Sequence, residues 1–188
     1  MQFFQSVFTH LPTLETDRLI LRPMRMRDAQ DLFDYARDPQ VSRHVLWDAH
    51  ASIRDSRQFL RGAIRQYRKG QPSSFAITLK DSGRMIGTVG FMWINLDHLS
   101  AEVGYSLSRD YWNQGIMTEA LRAVIAFGFD TLRLNRIEAQ HETDNPASGR
   151  VMAHVGMQYE GLLRQRLKNK GKYVDVALYA ILRGDPRL

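Results

Sequence analysis

A chain of 188 residues with 44% hydrophobic content can bury one sizeable core, and a single domain over residues 1–188 is expected. The net charge of +6 suits an anionic partner, whether nucleotide, acidic protein or nucleic acid, and does not choose among them. The absence of cysteine excludes a disulfide framework and thiolate catalysis.

From Met1 to His10 the chain carries Phe3, Phe4, Val7 and Phe8 but neither a basic start nor a long apolar run, so no signal peptide is expected. No stretch approaches the ~20 apolar residues of a spanning helix, which predicts a cytoplasmic protein without membrane contact. Leu14 to Pro23 reads as a strand, with Leu19 and Leu21 on the face opposite Arg18, Ile20 and Arg22. Two helices follow. Ala29, Leu32, Phe33 and Ala36 recur at helical spacing after Asp28, and Ser52-x-x-Asp55 opens a second helix whose Leu60, Ala63, Ile64 and Tyr67 share a face before Gly70 and Pro72 end it. Three strands come next, Ser74 to Leu79, Met85 to Ile94 and Ala101 to Ser108, separated by Lys80-Asp81-Ser82-Gly83 and Asn95-Leu96-Asp97-His98.

The segment Arg109 to Leu121 then joins the third of these strands to an amphipathic helix from about Thr118 to Asp130, through a turn holding Gly115. A helix opening there offers unpaired N–H donors and a positive dipole end to an anion. Neither G-x-G-x-x-G nor G-x-x-x-x-G-K-[ST] occurs, so an anion held at the turn belongs to some other nucleotide, the bland alternative being an ordinary strand-to-helix turn. Ile137, Ala139 and His141 alternate with Glu138, Gln140 and Glu142 as a strand, and Asp144-Asn145-Pro146 starts a short helix reaching about His154. A hairpin closes the chain, with arms Met157 to Leu167 and Tyr173 to Leu182 and the tip Asn169-Lys170-Gly171-Lys172. The order β-α-α-β-β-β-α-β-α-β-β predicts an α/β (α+β) fold: a mixed sheet of about seven strands, antiparallel in its first half, with helices on both faces and one parallel crossover around Gly115.

Four separated motifs, in order along the chain, resemble the GNAT acetyltransferases and within them the RimJ/RimL-type N-acetyltransferases. They are Leu14 to Arg22, Ala101-Glu102-Val103-Gly104-Tyr105-Ser106-Leu107, Tyr111 to Leu121, and Asn145-Pro146-Ala147-Ser148. The likeness extends through Glu160-Gly161 and Tyr173-Val174-Asp175-Val176, covering about Leu14 to Leu182. It implies acetyl-coenzyme A as donor cosubstrate and an amine as acceptor. Backbone amides of Gln114, Gly115, Ile116, Met117 and Thr118 would cradle the pyrophosphate, the backbone of Tyr105, Ser106 and Leu107 would bond the pantetheine arm, and Asn145 would contact that arm or its neighbours. The commonest family pattern, Q/R-x-x-G-x-G/A, is not met, because Trp112 stands first and Met117 last.

Acetyl transfer to an amine needs a base for the ammonium, and Glu102, on the strand leading into the turn, is the candidate, set against a merely solvated strand glutamate. The tyrosine that many relatives use to protonate the leaving thiolate is replaced by Met152, which moves that role to Ser148 in Asn145-x-x-Ser148; the same residues also make a sound helix start. The family places an acceptor wall near His44 and Trp47. The six histidines have no metal-ligand spacing, so no metal is expected. Arg164, Arg166, Lys168, Lys170 and Lys172 read as a solvated strand edge, and direct nucleic-acid binding is not expected.

The function implied is direct transfer of acetyl, without an acyl-enzyme, to a protein amino terminus such as that of a ribosomal protein. A small amine (polyamine, amino acid or aminoglycoside) is the alternative acceptor, and a non-catalytic, ribosome-associated coenzyme A-binding module is the alternative class. The resemblance admits a homodimer, which nothing in the residues specifies.

Overall fold

Leu19 and Leu21 have no exposed surface, and the strand they anchor lies near one margin of a single eight-stranded sheet. The computed structural model describes residues 2–186. The run expected as one strand from Leu14 to Pro23 is two, β1 (Leu14–Glu15) and β2 (Leu19–Arg22), folded back antiparallel with Leu14 opposite Leu21. The Thr16 amide donates to the Leu19 carbonyl at 3.0 Å and the Leu19 amide to the Thr16 hydroxyl at 3.1 Å, so Thr16-Asp17-Arg18 is a turn rather than strand interior. That turn raises the strand count from about seven to eight.

An unassigned helix, α1 (Gln2–Thr9), precedes the hairpin and packs Phe8 edge-on against Phe91 with ring centroids 6.2 Å apart. A 3₁₀ turn (Met26–Asp28) leads into α2 (Ala29–Ala36), where Tyr35 joins Leu32 in the core while Phe33 is only half-buried, with the Arg37 guanidinium over its ring. A short α3 (Pro39–Ser42), capped by the Asp38 carboxylate on the Gln40 amide, comes before α4 (Ile53–Arg68). Ser52 and Asp55 form the expected capping box of α4. Arg22 is held in the interior by a two-toothed contact with Asp28, both bonds 2.8 Å, which explains how a charged residue occupies a buried strand position.

The remaining elements are β3 (Ser74–Leu79), β4 (Met85–Asn95), β5 (Ser100–Leu107), α5 (Ile116–Asp130), β6 (Arg136–Glu142), α6 (Pro146–His154), β7 (Gln158–Asn169) and β8 (Lys172–Leu182). The sheet order is β1-β2-β3-β4-β5-β6-β8-β7, and every junction is antiparallel except β5–β6. Met85 through Phe91 are buried at every position, which requires helices over both faces of β4. The terminal hairpin arms run closer together than expected, leaving Lys170 and Gly171, both at positive φ, as a two-residue tip. Helix α5 begins two residues before the expected Thr118, so Ile116 and Met117 bury their side chains as its first residues. Among the described residues, no helix is long and apolar enough to cross a membrane.

Candidate active site

Strands β5 and β6 pair over only Ser100–Glu102 and Arg136–Glu138. Beyond those residues β6 stays bonded to β8 on its far side and β5 to β4, so the two diverge and the facing edge of β5 is left open. A bulge in β4 falls at Met92, opposite the step from Glu102 to Val103 where the parallel pairing ends. Bulges sharpen strand twist, which is the local reason for the split. The opening is a cleft of about 1430 Å³ that takes in the start of α5, the start of α6, the 40–47 segment and β5 itself.

Its anion end is built from backbone. Asn113 and Gly115 both have positive φ, 58° and 74°, and Gly115 is the N-cap of α5 with no side chain capping the helix. Such alternation turns successive amides inward as a concave nest, and the first turn of α5 adds its unpaired N–H groups. Gly115, Ile116, Met117 and Thr118 line the cleft, as do Tyr105, Ser106, Leu107 and Asn145. Gln114 is exposed and not part of the lining; its side chain donates to the Asp110 carbonyl at 2.8 Å. The two departures from the common family pattern have structural roles. The Trp112 indole donates to the Leu107 carbonyl at 2.9 Å, tying the loop to the end of β5, and Met117 places its side chain in the core while its amide stays at the helix start.

Glu102 stands at the branch point of the sheet. Its Oε2 accepts from the Trp93 indole at 2.8 Å and its Oε1 from the Gln140 amide at 3.0 Å, bridging β4, β5 and β6. Both donors are neutral, and among the described residues no cation pairs with this carboxylate. Its two oxygens are thus held at the cleft wall by neutral donors alone, open to a cationic ligand. Trp93 and Gln140 were not singled out from the sequence, because only the strand register brings them beside Glu102.

Ser148 lies across the cleft on α6. Its amide donates to Asn145 Oδ1, at 3.4 Å, and its hydroxyl is 2.8 Å from the phenolic oxygen of Tyr105, which also donates to the Ser148 carbonyl at 3.1 Å. Burial pushes the Tyr105 phenol well above its ordinary value, and the hydrogen bond with Ser148 offsets this only in part. The phenol thus remains protonated at neutral pH. Met152 is buried and faces the core. Tyr105, expected only for its backbone, thus also places a phenol beside Ser148, on a different element of the fold from Met152.

The far wall carries His44 and Trp47, both lining the cleft. His44 Nδ1 is 2.8 Å from Glu142 Oε2 and 3.4 Å from Asp144 Oδ1. Glu142 is buried at the end of β6, where Asn169 also donates to it at 2.5 Å. Lys170 donates to the carbonyls of Val45 and Trp47, so the tip of the terminal hairpin fastens the 43–47 segment. The other cations of that hairpin, Arg164, Arg166, Lys168 and Lys172, are exposed along the margin of the sheet, as a solvated edge requires. Among the described residues, His44, Glu142 and Asp144 are the group whose atoms lie close enough to hold a metal, within 4.8 Å of one another.

Comparison with known proteins gives concordant results. The family described as acetyltransferase (GNAT) domain matches residues 18–158. An uncharacterized N-acetyltransferase p20 of Bacillus licheniformis is 36% identical over 173 residues, covering 92% of this chain and 97% of that protein. The [ribosomal protein uS5]-alanine N-acetyltransferase of Escherichia coli is 31% identical over 183 residues, covering 92% and 91%. Among solved structures, Mycobacterium smegmatis RimJ in complex with CoA-disulfide superposes with a TM-score of 0.82 at 27% identity, covering 93% of this chain and 88% of that one.

Proposed function

This chain belongs to the GNAT acetyltransferase family and is an acetyl-coenzyme A-dependent N-acetyltransferase, and from that premise we propose that its acceptor is the α-amine of a protein amino terminus, such as that of a ribosomal protein. The observation that carries the proposal is the Glu102 carboxylate, held by two neutral donors at the branch of an open cleft and left without a cation of its own. A similarity of 31% to an enzyme named for the uS5 amino terminus supports the same acceptor class. Leu46, Phe59 and Met92 are exposed in the cleft and offer apolar contacts to the first side chains of a peptide. A cytoplasmic location goes with this proposal.

The diphosphate of the donor sits on the amides of Gly115 to Thr118, and the pantetheine arm runs along the open edge of β5. Glu102 takes the proton of the ammonium, directly or through water, and the free amine attacks the thioester carbonyl. A β5 amide faces the developing oxyanion. As the C–S bond breaks, the Ser148 hydroxyl gives its proton to the sulfur and recovers one from Tyr105; the attacking nitrogen loses its second proton to solvent, solvent returns a proton to the Tyr105 oxygen, and the product amide and a neutral thiol leave together. No acyl-enzyme is needed, in keeping with a chain that has no cysteine.

A thiol-release screen tests this against three acceptor sets: amino-terminal peptides, including those of ribosomal proteins, polyamines, and aminoglycosides with free amino acids. Peptides are expected to give the highest kcat/KM, and mass spectrometry should place the acetyl group on the α-amine. A preference of tenfold or more for polyamines or aminoglycosides would transfer the acceptor assignment to the small-amine class. No thiol release with any acceptor would leave the non-catalytic module.

A further inference from the structure

The diphosphate loop does not stand alone, and we infer that Arg18, outside the cleft, is the residue that positions it. This rests on the preceding assignment of the loop to the coenzyme A diphosphate. Arg18 lies in the turn between β1 and β2. Its Nη1 donates to the Gln114 carbonyl at 2.9 Å, and its Nη2 lies 3.5 Å from where a Cβ on Gly115 would stand. A trans peptide points its carbonyl and its N–H in opposite directions. Anchoring the Gln114 carbonyl behind the loop therefore aims the Gly115 N–H forward, and Gly115 is a cleft residue while Arg18 is not.

Arg18 is itself fixed by Glu119. The Arg18 Nε donates to Glu119 Oε2 at 2.7 Å, and the Arg18 amide and the Thr16 hydroxyl both donate to Oε1, at 2.9 and 2.5 Å. Burial raises the Glu119 carboxyl, but the bonds from Thr16 and Arg18 outweigh it and hold the group below its ordinary value. Glu119 is thus ionised in the first turn of α5, where its charge opposes a bound diphosphate. The guanidinium answers that charge at contact distance while orienting the peptide. One side chain performs both tasks because its planar fork reaches a carboxylate and a carbonyl together, which a lysine ammonium does not.

Titration calorimetry with coenzyme A, on wild type, Arg18→Met and Arg18→Lys, tests the inference, together with KM values for acetyl-coenzyme A and for acetyl-pantetheine, which has no diphosphate. Both variants are expected to weaken coenzyme A by about tenfold, the size of one charge-assisted hydrogen bond, and to raise the KM for acetyl-coenzyme A relative to that for acetyl-pantetheine by the same factor. Should Arg18→Met fail to fold, Arg18→Lys decides, since it keeps the charge and loses the fork. Unchanged coenzyme A affinity in the folded variants overturns the role of Arg18 and leaves the loop assignment standing. Equal losses on both thioesters do the same, because a general weakening of α5 would not distinguish them. A wild type that gives no heat with coenzyme A removes the loop assignment and this inference with it.

Discussion

Replacing Tyr105 by Phe keeps the buried ring and removes one oxygen, so it isolates the proton path behind Ser148. The phenol makes two contacts with Ser148, at 2.8 Å to its hydroxyl and 3.1 Å to its carbonyl. A neutral hydrogen bond contributes about 0.5–1.5 kcal/mol net. At about 1.4 kcal/mol per decade of rate, kcat for acetyl-coenzyme A should fall by about two- to tenfold if the bond stabilises the transition state to that extent. Ser148→Ala, which removes the donor itself, should cost about a hundredfold, at the lower end of general acid catalysis. The assay is thiol release with two acetyl thioesters, coenzyme A and an aryl thiol that departs as a stable thiolate. With the aryl thioester the loss in both variants should shrink to less than about twofold, because that leaving group needs no proton. The raised phenol also fixes a sign: a donor whose folded value lies above the ordinary 10 remains protonated through pH 10, so kcat should not fall there on account of Tyr105. Equal losses on both thioesters would refute the proton path, since they would mean that the two residues only support the cleft wall.

Glu102→Gln preserves the shape at the sheet branch but cannot accept the amine proton; kcat/KM should fall by about a hundredfold near neutral pH, and the loss should shrink as pH rises and the acceptor amine loses its proton to solvent, as measured by thiol release from pH 6 to 10. Gly149→Ala places a methyl 2.7 Å from His141 Nε2, and the imidazole is pinned by a 2.7 Å contact from its Nδ1 to the Glu142 carbonyl and by the Tyr179 ring. Denaturant unfolding should show a loss of about 1–3 kcal/mol, with lowered kcat because Gly149 directly follows Ser148 on α6. Glu119 has a depressed folded value, so its contribution to stability is present above its ordinary 4.5 and is lost as pH falls through the depressed one. Glu119→Gln should therefore flatten the dependence of the unfolding midpoint on pH below about 4.5, read by thermal unfolding across acid buffers.

The residues most legible in the sequence are those whose role is local. Gly115 ahead of an apolar helix, the alternation around Leu19 and Leu21, and Asn145-Pro146 as a helix start each follow from backbone chemistry within a few positions, and each sits where the spacing put it. The partners of the chemical groups are a different matter. Trp93 and Gln140 reach Glu102 from two other strands, and that meeting depends on the β4 bulge at Met92, which shifts the register by one residue and leaves no mark in the hydrophobic period. The same holds for Tyr105, whose alternation on β5 says which face it takes but not that α6 will bring Ser148 to its phenol.

Arg18 shows how a local signal can mislead. Its place between Asp17 and Leu19 suits a strand, and the alternation assigns it to a polar face, yet its partners lie about a hundred positions away, Glu119 on α5 and Gln114 in the loop before it. A polar position in a short strand reports only that the residue is not needed in the core. Whether it faces water or another element is decided by the order of strands in the sheet, and here the turn beginning at Thr16 delivers the guanidinium to the back of the loop that presents Gly115 to the cleft. The residues proposed for the chemistry lie on β5, α5 and α6; Glu102 is held from the neighbouring strands by Trp93 and Gln140, while the margins of the fold supply Arg18 behind the Gly115 loop and Asn169 and Lys170 behind the 43–47 segment. A substitution at either margin should therefore change how the cleft binds before it changes whether the protein folds.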